Sequence, residues 1–243
     1  EIARVFAAIG QADRFRQRAF AAWPREMTPQ RLLRQAIEGK LQPFEEPDFR
    51  RLFPLVEREA LMAGMLDLVA AVQNLDRFLA ATPGIPAVSW RLQTPLGLVV
   101  IDTTGADNRH VLEDPLLVVD VGGDDHYSFT TKKSGNRISI VLDRGGNDHY
   151  IAEDAAACPS SAVMGFGILW DTGGNDRYEA GTFAQGAALF GAALLVDGGG
   201  ANIFTARGYA QAFALGGVAL VVSMGGDDSY NALQMSLVRS FRS

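Results

Sequence analysis

The chain has 243 residues, of which 48% are hydrophobic and 21% charged, with a formal net charge of -6 and a pI near 5.1. That composition belongs to a folded globular chain and excludes a disordered one. The acidity argues against nucleic acid as a partner, because nucleic-acid binders present basic patches. The single cysteine, Cys158, excludes an intrachain disulfide and leaves the redox compartment open. It lies in "AAACPSSA", where no activating motif surrounds it, so a buried, inert thiol is expected.

The chain begins at Glu1 without a signal-peptide pattern; a removed leader and a cut boundary both fit. Residues 1 to about 83 read as helical. Ile2, Val5, Phe6, Ile9, Phe15 and Phe20 recur at helical spacing, and Pro24 is expected to end that run. Thr28 then stands as an N-cap with Pro29 at the first helical position, and Gly39 as a stop. A long segment from Asp48 to Ala81 follows, with Pro54 as a break. Its most apolar run, Ala60 to Val72, is too short to span a bilayer and contains Asp67. Pro83, Gly84 and Pro86 mark 84–94 as a linker. The reading is therefore a helical region, 1–83, and a repeat domain, 95–243.

From about residue 95 short β-branched runs alternate with glycine pairs. "VVIDTTGADNRH", "LVVDVGGDDHYS", "IVLDRGGNDHYI", "ILWDTGGNDRYE", "LLVDGGGANIFT" and "LVVSMGGDDSYN" are versions of one unit. Their leading positions are Asp102, Asp120, Asp143, Asp171, Asp197 and Ser223, spaced 18, 23, 28, 26 and 26 residues apart. The last three units align without gaps: Gly165, Gly191 and Gly217 correspond, and Phe183-Ala184-Gln185 matches Tyr209-Ala210-Gln211. Such periodicity marks a solenoid. Glycine pairs exclude helical repeats, and a propeller blade needs a longer unit. The expected fold is α+β: a helical N-terminal region capping a C-terminal parallel β-helix of about six coils. The helices would cover the first coil, and Arg239 and Arg242 would blunt the edge of the last. "GAALLVD" and "GGVALVV" are apolar at successive positions, so these strands are expected to be buried on both faces. A protein partner or the chain's own helices would supply the second cover.

Stacked coils put equivalent residues about 4.8 Å apart. One acidic column then holds Asp102, Asp120, Asp143, Asp171 and Asp197; another holds Asp107, Asp125, Asp148, Asp176, Asn202 and Asp228. Like charges at that spacing repel by about 1 kcal/mol even in water. Two compensations are open. Each Asp can accept N–H groups of its glycine turn, or Asp120, Asp125, Asp143, Asp148, Asp171 and Asp176 can ligate calcium with turn carbonyls. Tyr127, Tyr150, Tyr178, Phe204 and Tyr230 form an aromatic column, either a packing ladder or a platform for carbohydrate. Gln185 and Gln211 form a short amide column. His126, His149 and Arg177 share one repeat position on the opposite face, toward solvent.

The stretches Gly145 to Tyr150 and Gly173 to Tyr178 resemble the calcium-binding nonapeptide repeats of RTX proteins, G-G-x-G-x-D-x-U-x. On that resemblance Gly146, Asp148 and Tyr150, and likewise Gly174, Asp176 and Tyr178, match the glycine, the Asp and the apolar position. Asp143 and Asp171 stand where the family has its first glycine, and the period is about 26 residues, not nine. The resemblance implies calcium and an extracytoplasmic setting. The expected function is a non-catalytic structural or binding module, a subunit of a larger assembly through its apolar wall or helical region. The alternative is a polysaccharide lyase or hydrolase of the β-helix type, drawing on Asp125, Arg177 and Lys132.

Overall fold

The first helix, α1 (Ile2–Ala19), buries Val5, Ile9, Ala12 and Ala19 along one stripe. These positions come from a computed structural model that describes residues 1–37, 50–131, 138–152, 158 and 160–236. The helix ends ahead of Pro24, where the N–H of Phe20 returns to the carbonyl of Arg16. Thr28 does cap α2 (Pro29–Ile37): its Oγ1 accepts the N–H of Arg31 at 3.3 Å. Gly39 lies outside the described residues. Pro54 sits in a short 3-10 turn, Phe53–Leu55, after which α3 (Arg58–Ala81) begins. Leu61, Met65, Leu68, Val72, Leu75 and Leu79 form its buried stripe.

The repeat region is a parallel β-solenoid with three walls. The first wall orders β1 (Ser89–Thr94), β2 (Gly97–Asp102), β4 (Pro115–Asp120), β6 (Ile138–Asp143), β9 (Phe166–Asp171), β12 (Ala192–Asp197) and β15 (Val218–Ser223) side by side. The second stacks β3 (Arg109–Glu113), β5 (His126–Thr130), β7 (His149–Ala152), β10 (Arg177–Ala184), β13 (Ile203–Ala210) and β16 (Ser229–Ser236). Among the described residues the third holds β8 (Ser161–Val163), β11 (Ala187–Leu189) and β14 (Ala214–Leu215). Pairing is parallel and in register from unit to unit, as in Asp143 to Asp171 and Asp171 to Asp197.

The solenoid makes about four turns, not the six expected. Chain length explains the shortfall. The first two units are 18 and 23 residues long, shorter than those that follow, and among the described residues the third wall starts at β8.

Both faces of the first wall are apolar, and both are covered from β2 to β12, whereas the outer strands β1 and β15 are exposed or half-buried. Leu98, Val100, Val118, Val141, Leu169 and Leu195 point into the solenoid. Val99, Leu117, Val119, Ile140, Leu142, Ile168 and Val196 pack outward in one cluster with α1 and α3. The helices therefore cover the wall, rather than the first coil as expected, because that is where the unburied apolar surface lies. Gly64 of α3 sets the approach: a Cβ there would stand 2.6 Å from the Phe166 ring and 3.2 Å from Phe15. Trp23 and Phe53 close over Phe190, with ring centroids at 4.9 and 5.2 Å. What covers the first-wall edge is β1, inside the stretch read as a linker; it pairs antiparallel with β2. At the other end β14, β15 and β16 each pair on one side only among the described residues. Arg239 and Arg242 lie outside them. No helix among the described residues is long and apolar enough to cross a membrane.

Candidate functional site: the stacked aspartate turns

The first-wall strands β2, β4, β6, β9 and β12 each deliver an acid into the turn that follows. Its Oδ1 accepts the N–H two residues on: Asp120 from Gly122 at 3.1 Å, Asp143 from Gly145 at 2.8 Å, Asp171 from Gly173 at 2.9 Å and Asp197 from Gly199 at 3.1 Å. Glycine is required in these turns by stacking as well as by positive φ. A Cβ on Gly146 would lie 1.7 Å from the Gly123 carbonyl oxygen of the adjacent rung.

The other carboxylate oxygen, Oδ2, faces inward and accepts from the ring of the preceding unit. The Tyr127 hydroxyl donates to Asp143, Tyr150 to Asp171 at 2.7 Å and Tyr178 to Asp197 at 2.8 Å. The rings stack face to face, with centroids 4.8, 4.9, 4.4 and 4.6 Å apart from Tyr127 through Tyr150, Tyr178 and Phe204 to Tyr230. Tyr127, Tyr150, Tyr178 and Phe204 are buried. The aromatic column is thus an internal ladder, and no carbohydrate can stack on those faces. His110 heads it, stacked on Tyr127, with Nε2 2.9 Å from Asp120 Oδ2. Phe204 has no hydroxyl, and the residue that would accept one, by register with Asp197, is Ser223. Hydroxyl donor and carboxylate acceptor are absent together.

The second column bonds across rungs in the same sense, but to backbone N–H groups of the preceding unit. Oδ1 of Asp125 accepts the N–H of Asn108 and Oδ1 of Asp148 that of Asp125, both at 2.6 Å. Asp176 accepts from Asp148 at 2.7 Å, and Asn202 from Asp176 at 2.8 Å. Asn108, not Asp107, therefore begins this column, because the first turn carries one extra residue. Asp107 instead starts an outer ladder that sequence reasoning missed: it accepts from Asp124 N–H, Asp124 from Asn147, Asn147 from Asn175 and Asn175 from Ala201. The recurring Asn of "GGND" was its only sequence signal.

The hydrogen-bond supply runs out at two atoms. Asp148 Oδ2 and Asp176 Oδ2 are buried with no donor. At the equivalent place Asn202 offers an amide, and its Nδ2 donates to Asp197 Oδ1 at 2.8 Å. Burial, reinforced by neighbouring carboxylates, pushes the Asp148 carboxyl up to about 9 and Asp176 up to about 7. Burial also lifts Asp125 to about 7, Asp143 and Asp197 to about 6, and Asp171 well above the usual carboxylate range. A proton on Asp148 gives Oδ2 something to donate, as the Asn202 amide has. A cation would serve the same end. Asp125, Asp143 and Asp148 bring ligand atoms within 4.8 Å of one another, as do Asp148, Asp171 and Asp176. Asp120 instead groups with Asp102 and His110. These buried Asp and His groups could hold a metal ion.

The outer face of the second wall carries the residues that break the repeat. His126 and His149 are partly exposed and their rings lie 5.1 Å apart. Arg177 is exposed and paired with Glu179, and Glu179 also lies 3.4 Å from His149. A groove of ≈ 420 Å³ beside them is lined by Ile151, Glu179, Thr205, Arg207 and Leu233, among others. Asp125 is buried inside the wall while Arg177 projects outside it, so the two cannot act on one substrate. Lys132 lies outside the described residues. Gln185 and Gln211 are buried, but each amide bonds strand carbonyls rather than the other: Gln185 Nε2 reaches Tyr178 O at 3.0 Å and Thr205 O at 2.9 Å. Cys158 is buried beside Ser160, and burial raises its thiol.

No family model, curated protein or solved structure gives a match to the chain. The likeness of the glycine-aspartate stretches to RTX repeats accordingly has no support from relatives.

Proposed function

We propose that the chain is a non-catalytic β-solenoid module, structural or binding in role, with the helical region 1–83 and the repeat domain 95–243 acting as one scaffold. One observation carries this reading: the repeated acids are engaged inside the fold. Each of Asp143, Asp171 and Asp197 takes one N–H from its own turn and one hydroxyl from the rung before. Groups so committed brace a wall and are not free to move protons for a substrate. The test is incubation of the pure chain with a panel of acidic and neutral polysaccharides. No chain scission is expected. Scission lost in Glu179→Gln would overturn the reading in favour of a carbohydrate-active groove on the second wall.

A second reading has its own support. The donorless Oδ2 atoms of Asp148 and Asp176 are where calcium would sit, held by Asp125, Asp143, Asp148, Asp171 and Asp176, and calcium would favour an extracytoplasmic setting. Thermal unfolding with excess calcium and with excess EDTA separates the two. An unchanged midpoint leaves protons and hydrogen bonds in the columns; a calcium-dependent rise fills them with ions. Asp120 belongs to neither of these two groups.

A further inference from the structure

We propose that Asp102, His110 and Asp120 form a site for one divalent transition-metal ion of the zinc class at the first rung of the solenoid. The three side chains are 1%, 5% and 0% exposed and come from β2, β3 and β4, two walls of the same end. One donor atom from each lies within 4.8 Å of the others, and His110 Nε2 stands 2.9 Å from Asp120 Oδ2. Ligands sharing one zinc ion stand roughly 3–3.5 Å apart, given metal–ligand bonds near 2.0–2.2 Å. Closing the set around an ion thus needs only small side-chain shifts.

The donor chemistry separates this cluster from the acids below it. It offers one imidazole nitrogen and two carboxylates, the mixed set that suits zinc-class ions rather than calcium. It also breaks the repeat. The aromatic positions below hold Tyr127, Tyr150, Tyr178, Phe204 and Tyr230, and only the first holds a metal-binding ring.

Two further features prepare the site. The Thr104 N–H and hydroxyl both donate to Asp102 Oδ1 and so orient that carboxylate, as outer partners of metal ligands do. Two carboxylates and a neutral imidazole balance a divalent charge, whereas an imidazolium alone would leave one buried negative charge uncompensated. The turn that carries Thr104 faces solvent. Thr104, Gly105, Ala106 and Asp107 of the first turn are exposed, and nothing lies within 4 Å of a Cβ on Gly105. Three protein donors leave a fourth position for water.

The experiment is calorimetric titration of the metal-free chain with zinc, on a His126→Ser/His149→Ser background that removes the surface histidine pair. One zinc per chain is expected, with a raised unfolding midpoint, and cobalt in its place should give the visible absorption of a four-coordinate site. His110→Tyr installs the ring that the ladder uses elsewhere and removes the nitrogen donor; it should fold and bind no zinc. Thr104→Val should weaken binding roughly 10–100-fold. If His110→Tyr does not fold, ring-nitrogen NMR of the histidine-pair variant decides: His110 must shift with one equivalent of zinc. Absence of binding, or equal binding by His110→Tyr, would overturn the proposal. The outcome is independent of calcium in the deeper columns, since Asp148→Asn leaves these three ligands intact.

Discussion

At Tyr150 a single oxygen joins two rungs, and the energetics of the columns follow from such atoms. Tyr150→Phe keeps the stacked ring but leaves Asp171 Oδ2 without its 2.7 Å donor. A buried acceptor deprived of its partner costs about 1–3 kcal/mol, so the urea midpoint should drop accordingly. A cycle with Asp171→Asn should show non-additive coupling. The Phe204 and Ser223 pair shows the same coupling within the natural sequence. Asp148→Asn makes a different prediction, because it copies the amide that Asn202 already uses. The variant should be at least as stable as the parent near neutral pH and less sensitive to alkali. An Asp148→Asn chain that unfolds more easily than the parent at all pH values would contradict a proton in that position. The two acid columns were legible from the sequence because the same turn motif follows each strand run, whatever the spacing between units. The extra residue in the first turn was not, since the stretch before Asn108 aligns equally well either way until β3 and β5 fix Arg109 against His126. The sequence places His110 only near the first turn; the register of β3 with β5 sets it beside Tyr127 in the aromatic ladder.

Among the elements, α3 is set by Gly64. Its apolar stripe was visible as periodicity, but its docking surface was not, because a stripe says that a face is buried and not against what. Gly64→Val would drive methyl groups into Phe166 and Phe15. Overpacking of this kind costs about 1–3 kcal/mol, and the loss should appear in chemical unfolding followed by the fluorescence of Trp170, which packs against the same cluster. The strands themselves should differ in stability by position. Backbone amides of β15 and β16, paired on one side among the described residues, should exchange with deuterium faster than those of β9 and β12, paired on both. Equal protection across all four would mean that the last rung is covered. The expectation of strands buried on both faces holds for β12, covered by α1 and α3, but not for β15, where Val218 and Leu220 are exposed.

For the molecule as a whole, the buried acids fix the sign of the pH response. Unfolded aspartates titrate near 3.9. Asp125, Asp143, Asp148, Asp176 and Asp197 titrate higher in the folded chain, between about 6 and about 9. Between those limits the native state holds more protons than the unfolded one, so stability falls as pH rises. It should be greatest in mild acid, decline from about pH 4 to about pH 9 and then level off. Asp102, shifted downward, works in reverse and loses its contribution only as pH falls through its folded value. Urea midpoints measured across that range check the slope, and the part near the upper limit should flatten in Asp148→Asn. Calcium in the columns would invert the trend, because ion binding strengthens as carboxylates ionise.

The sequence by itself determined that this is a helical region followed by a parallel solenoid. Glycine pairs, acids and rings recurring with the strand runs permit few other ways to bury alternate residues and satisfy the turns. It also determined that the acids lie in columns, since identical residues in stacked rungs must superpose. The tertiary structure decided the rest: about four turns rather than six, helices along a wall rather than over an end, the packing ladder from the two readings left open for the aromatic column, and a histidine between two aspartates at the first rung. These depend on which rung a residue joins and which face its strand turns inward. Such choices are settled by burial summed over the whole molecule, and a repeat read along the chain carries no record of that sum.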